Sequence, residues 1–229
     1  MNLSWTYALI LIGSIAGPVA LSFDRKVAFY SKWRDVFMAG IFPALIFILW
    51  DMYFTSKGVW WFSEQHISGI KLGNLPIEEA LFFLVVPFCC LFIYECIRCY
   101  FPNLKGEKAG RRILSFMGVA LMIAGIWNLE RQYTSWTGIG NGLFIGVIFI
   151  LPALFKDFKA NYFLVSYLII LIPFLTVNGL LTAIPVVLYN DAENLALRIY
   201  TIPAEDTFYG MLLILMNVTI YERLRRGKQ

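Results

Sequence analysis

Long apolar runs alternate with short polar breaks along this chain. Runs long enough for membrane-spanning helices, which need about 20 residues each, occupy roughly 4–22, 36–54, 77–94, 113–129, 139–155, 161–178 and 204–221. The pattern predicts an all-α polytopic membrane protein with about seven transmembrane helices. The first run has neither a basic leading segment nor a small-x-small cleavage site, so it reads as a retained helix and not as a removed signal.

Composition strengthens this reading. A chain of 229 residues that is 59% hydrophobic and 15% charged has too little polar surface to coat a water-soluble globule of that size. Lys and Arg cluster in alternate breaks: Arg25, Lys26, Lys32 and Arg34; then Arg98, Lys105, Lys108, Arg111 and Arg112; then Lys156 and Lys159; then the C-terminal tail. The opposite breaks hold only Lys57, Lys71, Arg131 and Arg198. The positive-inside rule then predicts a multi-pass protein of the cytoplasmic membrane, with its N-terminus outside and its C-terminus in the cytoplasm. The net charge of +4 reflects that orientation, and no nucleic-acid partner follows from it.

The cysteines Cys89, Cys90, Cys96 and Cys99 fall in or just below the third run, at its predicted cytoplasmic end, where disulfides are disfavoured. Cys96 and Cys99 form a CxxC with no second ligand pair, so small packing residues are the expected role. The one histidine, His66, falls in an outer loop, where a surface role is expected, and no metal site is predicted.

The chain repeats itself. A shift of 127 residues aligns 32–98 with 159–225 without a gap. Lys32 then meets Lys159, Thr55 meets Thr182, Pro76 meets Pro203, Glu78 meets Glu205, Ile93-Tyr94-Glu95 meets Ile220-Tyr221-Glu222, and Arg98 meets Arg225. Conservative pairs join them: Asp51 with Asn178, Phe62 with Tyr189, Glu79 with Asp206, Phe82 with Tyr209. Four spans separate the halves, so equivalent helices run the same way through the membrane. The expected plan is a 3+1+3 parallel repeat: 1–98, a linker helix in 99–130, and 131–229. A pseudo-twofold axis along the membrane normal would bring the two outer mouths into one site.

The duplicated stretches "NLPIEEALFF" and "TIPAEDTFYG" each set two acids at the opening of a greasy helix. Pro at the first position and acids in the first turn suit any helix start, yet carboxylates bordering hydrocarbon are costly and tend to be functional. Neighbouring helical residues point about 100° apart, so one acid of each pair is expected to cap and the other to work. Below Asp206 lie Gly210, Leu213 and Asn217, the small and polar face expected toward a packed interior; below Glu205 lie Tyr209, Leu212 and Met216. Asp206 is therefore the expected inward acid. Tyr94-Glu95 and Tyr221-Glu222, 17 residues beyond Glu78 and Glu205 or roughly 25 Å at helical rise, read as interfacial anchors followed by cytoplasmic charges. "VWWF", residues 59 to 62, reads as part of an aromatic belt, although aromatic faces can also stabilise a cation.

Two three-helix halves, each with Pro-x-Glu-(Glu/Asp) opening its last helix, resemble the small integral-membrane lycopene cyclases, which occur as two polypeptides in some bacteria and as a fused chain elsewhere. The resemblance covers nearly the whole chain. It implies an intramolecular lyase or isomerase that closes the linear ends of lycopene, to β-rings giving γ-carotene and β-carotene, in carotenoid biosynthesis. It carries over Pro76, Glu78, Glu79, Pro203, Glu205 and Asp206; the repeat alone adds Asp51, Asn178, Phe82 and Tyr209 as supporting or substrate-binding residues. A carboxylic acid kept protonated in a poorly hydrated site can protonate the terminal double bond, while a carboxylate steadies the cation and a base removes a proton. No GxGxxG follows a strand, and no flavin or other cofactor is expected. The implied partners are a linear carotenoid, the bilayer and other enzymes of the same pathway. A membrane transporter of a small molecule is the alternative, since a 3+1+3 parallel repeat also serves sugar carriers. Its substrate site would be expected at mid-membrane, away from these acidic mouths.

Overall fold

The computed structural model describes residues 4–226; residues 1–3 and 227–229, the latter including the tail cation Lys228, lie outside it. The described residues form, in order, α1 (Thr6–Leu21), a 3-10 turn Phe29–Lys32, α2 (Trp33–Lys57), β1 (Trp60–Phe62), β2 (Lys71–Leu72), β3 (Leu75–Pro76) and α3 (Ile77–Tyr100). Then come α4 (Glu107–Trp127), α5 (Gln132–Ile150), α6 (Ala160–Ala183), β4 (Val187–Tyr189), β5 (Arg198–Ile199), β6 (Ile202–Pro203) and α7 (Ala204–Arg226).

Five helices among the described residues are long and apolar enough to cross a membrane: α2 with its leading 3-10 turn, α3, α4, α5 and α6. The protein is thus an all-α membrane protein. By this measure the sequence-predicted count of seven is reached only as helices. The 16 residues of α1 rise about 24 Å, short of a hydrocarbon core of about 30 Å. Helix α7 has the length, but Glu205, Asp206 and Asn217 dilute its apolar run, and its middle is sealed inside the protein: Met211, Leu213, Leu215 and Val218 are buried.

Polarity is distributed inside out. Phe37, Met38, Ile41, Phe42 and Leu49 of α2, and Phe116, Val119 and Ile123 of α4, are exposed, whereas Asp51, Glu79, Asn141, Asn178, Asp206 and Asn217 are buried. Lipid gives apolar helices no hydrophobic reason to associate, so close packing and polar contacts do that work. Helices α4 and α5 show the packing: a Cβ at Gly138 would lie 2.5 Å from the Leu121 carbonyl oxygen and 2.9 Å from the Gly125 Cα. Polar residues also explain where the sequence placed α5 too late. Its first turns carry Thr134, Ser135, Thr137 and Asn141, all buried, so an apolar window misses a helix that begins at Gln132 and not near 139. Helix α4 likewise starts at Glu107, ahead of its apolar run.

The 127-residue repeat is visible in the backbone. The β2–β3 hairpin pairs Lys71 with Pro76 and Leu72 with Leu75; the β5–β6 hairpin pairs Arg198 with Pro203 and Ile199 with Ile202, each the earlier number plus 127. Strands β1 and β4 pair antiparallel across the halves, with Trp61 opposite Leu188. Those two residues are themselves repeat equivalents, so a local twofold passes between them. Helices α3 and α7, each opened by its hairpin, pack at the centre, with α2 against α7 and α6 against α3.

At the far ends of α3 and α7 the structure corrects two expectations. Tyr94 and Tyr221 are fully buried and are not interfacial anchors, and Glu95 and Glu222 are buried and not solvated. Glu95 accepts a 2.6 Å hydrogen bond from Lys32 Nζ and another from Arg225, while Arg98 reaches Glu222, so each acid pairs with the arginine of the other half. A charge taken out of water must be paired, and the partners stand on α3, α7 and the turn before α2. His66 is also a correction: it is buried, and its carbonyl accepts the amide of Tyr7 at 3.1 Å, because its loop folds back over α1. The four cysteines are free.

Candidate active site

The two hairpins decide where the duplicated acids point. The Ile77 amide donates to the Ile70 carbonyl at 2.9 Å, and the equivalent Ala204 amide donates to Leu197 at 2.9 Å, so each hairpin feeds directly into its helix. Pro76 and Pro203 sit at the junctions; Pro76 is extended at φ −59°, a backbone its ring already holds. One residue into each helix, Glu78 Oε1 accepts the Ser68 amide at 2.7 Å and Glu205 Oε1 accepts the Leu195 amide at 2.8 Å, again 127 residues apart. Glu205 Oε1 also accepts from Thr134 Oγ1 at 2.6 Å. Both glutamates are buried, and their visible work is to tie the outer loops to the helix starts.

The next residue in each helix turns about 100° away. Glu79 and Asp206 thereby face a common cavity of about 40 Å³, lined also by Asp51, Asn178, Phe82 and Tyr209. The cavity spans the pseudo-twofold, with equivalent positions on its two sides. Tyr7 donates to Glu79 Oε2 at 2.6 Å, and Tyr133, its counterpart on α5, donates to Asp206 Oδ1 at 2.5 Å. Beyond these the halves differ. Tyr189 gives Asp206 a second donor at 2.9 Å, whereas the equivalent Phe62 has no hydroxyl. Asp51 lies beside Glu79 and accepts from Tyr209 at 3.2 Å, whereas the equivalent pair, Asn178 and Phe82, has neither charge nor hydroxyl. Burial, with Asp206 alongside, pushes the Tyr189 phenol well above its ordinary value and keeps it a neutral donor.

Aromatic faces make the walls. Trp60 stands edge-on to Tyr133 at 5.0 Å and to Tyr209 at 6.0 Å, and Tyr133 stacks on Tyr189 at 6.0 Å. Trp60 is buried and lines the cavity, so for it the belt expectation is corrected; Trp61 alternates to the exposed side of the strand. Three acids, four tyrosine hydroxyls and several ring faces in a small buried space can hold and move protons, and ring faces attract positive charge. Among the described residues no group of three or more His, Cys, Asp or Glu is placed to hold a metal ion.

Of the residues singled out in the sequence, Glu79, Asp206, Asp51, Asn178, Phe82 and Tyr209 meet in the cavity, while Pro76, Pro203, Glu78 and Glu205 stand behind it. The sequence reading did not name Tyr7 or Tyr133, and it named Tyr189 only as the repeat partner of Phe62 and Trp60 only within the aromatic stretch 59–62. A signal existed for the first two, which are 126 residues apart: the 127-residue shift sets Tyr7 against Thr134, and a slip of one residue in the first helix of each half aligns the tyrosines.

Fold and site together define a duplicated, all-helical membrane protein with a buried, aromatic-walled acid cluster. The family model described as lycopene cyclase matches residues 4–97 and 130–224, and the chain belongs to that family. It is 25% identical over 227 residues to a bifunctional lycopene cyclase/phytoene synthase of Pyrenophora tritici-repentis, which covers 92% of this chain and 37% of that protein. It is 37% identical over 84 residues to a lycopene beta-cyclase of Halobacterium salinarum, which covers 34% of this chain and 35% of that one. A bifunctional lycopene cyclase/phytoene synthase of Aspergillus niger is 27% identical over 82 residues, 33% of this chain and 14% of that protein. The chain thus spans about a third or less of the length of the curated relatives it matches. No solved structure matches it.

Proposed function

We propose that this protein closes the linear ends of lycopene into β-rings, giving γ-carotene and β-carotene, an isomerisation with no net redox change and no cofactor. The observation that carries this reading is the meeting of Glu79 and Asp206, the working acids of the two motifs, with Asp51 in one aromatic-walled cavity. Family membership supports the substrate class, and none of the relatives' names points to a transporter.

The chemistry divides along the asymmetry of the site. Asp51 and Glu79 line the same cavity, and a carboxyl of this pair delivers the proton to the terminal double bond of the substrate. The tertiary cation so formed is attacked by the neighbouring double bond, which makes the ring carbon–carbon bond and moves the positive charge into the ring. Asp206, with a tyrosine hydroxyl on each oxygen, serves as the carboxylate. It faces the charge as it develops and takes the proton whose loss ends the reaction. Trp60, Tyr133 and Tyr209 offer ring faces to the cation in the meantime.

The same reading keeps seven spans in a cytoplasmic membrane, with the N-terminus outside, the C-terminus inside, and halves 1–98 and 131–229 joined by a linker helix in 99–130. The strand and hairpin equivalences support the division, and the alternation of cationic breaks supports the orientation. Expression in a lycopene-accumulating bacterium tests the activity. Cyclic pigment is expected, and pigment that stays lycopene at good membrane expression contradicts the reading.

A further inference from the structure

The acidic cavity does not end at its acids. It shares Phe174 and Asn178 with a second, apolar cavity of about 90 Å³ that runs down α3 from Val86 to Ile93 and is closed on the other side by Ile170, Pro173 and Val177 of α6. Seven residues of helix are about 10 Å. That cavity in turn shares Ser14 and Val177 with a groove of about 440 Å³ between α1 and α6, lined by Leu9, Ile10, Gly13 and Leu180. Nothing lies within 4 Å of a Cβ built on Gly13, and Leu9 and Leu180 are exposed. Two hydroxyls, those of Thr6 and Ser14, line this route; that of Ser14, where the cavity and the groove meet, donates back to the Ile10 carbonyl at 2.7 Å, so it offers an apolar ligand no unpaired donor there.

The duplication supplies an internal control. In the other half the equivalent gap lies between α5 and α2, and at the positions of Ile10, Val177 and Leu180 it carries Trp136, Trp50 and Tyr53. These three rings fill it: Trp136 stacks on Tyr53 at 5.2 Å and meets Trp50 at 5.8 Å. At the position of Ser14 stands Gly140, whose Cβ would lie 3.6 Å from the Trp50 ring. One side of the duplicated frame is open and its counterpart is plugged.

We propose that the gap between α1 and α6 is the passage by which a linear polyene enters the acidic cavity sideways from the bilayer, and that the equivalent gap between α5 and α2 is sealed. The inference rests on the cyclase reading above. An extended polyene end is apolar, thin and needs a continuous dry route of this kind. It reaches the acids without crossing water, and the two equivalent gaps are thereby assigned different tasks: the one between α1 and α6 admits the substrate, and the one between α5 and α2 is a wall.

The test transplants the plug. Full-length protein in lycopene-loaded liposomes is assayed by pigment chromatography as wild type, as Ile10→Trp/Val177→Trp, as Gly13→Phe, and as Leu168→Trp on the lipid face of α6. Gly13→Phe enters open space and replaces a glycine within a helix, so its thermal stability is expected to be no lower than wild type; it decides the matter if the double variant misfolds. Both plugging changes are expected to lower the initial rate by about tenfold or more while Leu168→Trp stays within about twofold. Plugged, folded protein that cyclises at the wild-type rate overturns the passage. Wild-type protein that makes no cyclic pigment overturns the underlying reading instead, so the two failures are distinct.

Discussion

Replacing Tyr133 by Phe keeps the ring that stacks on Tyr189 and meets Trp60, and removes one hydroxyl. That hydroxyl is the shorter of the two donors to Asp206, 2.5 Å against 2.9 Å from Tyr189. Hydrogen bonds to charged groups contribute about 1.5–3 kcal/mol. The cavity, at about 40 Å³, has room for a water molecule, which needs at least about 10–15 Å³, so some of the loss is recovered and the lower part of the range applies. A cost of about 1.5–2 kcal/mol on the carboxylate facing the cation is a fall of about 10–30-fold in turnover. Substrate affinity is expected to stay near wild type, since the hydroxyl is occupied by Asp206 and the ring remains. Tyr189→Phe is expected to cost less, because its bond is longer and the equivalent residue in the other half is already Phe62. The assay is the initial rate of cyclic pigment formation against lycopene concentration, at matched protein levels, with Tyr167→Phe, whose hydroxyl bonds the Thr207 carbonyl at 2.6 Å, as a comparison outside the acid cluster. A Tyr133→Phe rate within about twofold of wild type, or a raised KM with unchanged kcat, would refute the role given to the Tyr133–Asp206 bond.

Two further outcomes follow from residues behind the cavity. Glu205→Ala removes the single oxygen, Oε1, that takes both the Thr134 hydroxyl and the Leu195 amide; a loss of about 1–3 kcal/mol of stability is expected, read as a lower melting temperature in detergent, with a partial loss of turnover that returns as temperature is lowered. Glu95→Gln removes the acid shared by Lys32 and Arg225. Breaking a fully buried pair costs about 3–5 kcal/mol, and because these cations are about a fifth exposed a smaller loss of about 2–3 kcal/mol is expected. A melting temperature unchanged by Glu95→Gln would show that the cluster contributes nothing to holding the halves together.

How much of this was legible in the sequence depended on which contacts the chain repeats. The 127-residue shift exposed Glu79 with Asp206 and Asp51 with Asn178 because both members of each pair keep a polar side chain, and the structure puts all four around one cavity. Helical geometry was enough to turn Asp206 and Glu205 to different sides. Other features were hidden for physical reasons. In a membrane protein a tyrosine near a helix end looks the same whether it meets headgroups or other helices; Tyr94 and Tyr221 are buried, and the cations of Lys32, Arg98 and Arg225 that pair with the neighbouring acids come from 63 to 130 residues away in the chain. Trp60 and Trp61 are indistinguishable in composition, and only the β1–β4 pairing sends one inward. Polar residues that face the interior shortened the apolar windows of α5 and α7, which is why helix length and hydropathy gave different spans.

The central claim is that the two motifs build one site, and paired single substitutions test it most directly. Glu79→Gln and Asp206→Asn keep shape and most packing but cannot carry the same proton or charge. Each variant, expressed at wild-type level in lycopene-accumulating cells, is expected to leave the pigment as lycopene, with losses of about a hundredfold or more as for removal of an acid–base group. Cyclic pigment at about half the wild-type rate from each single variant, and none from the double variant, would mean two independent sites and would contradict the account.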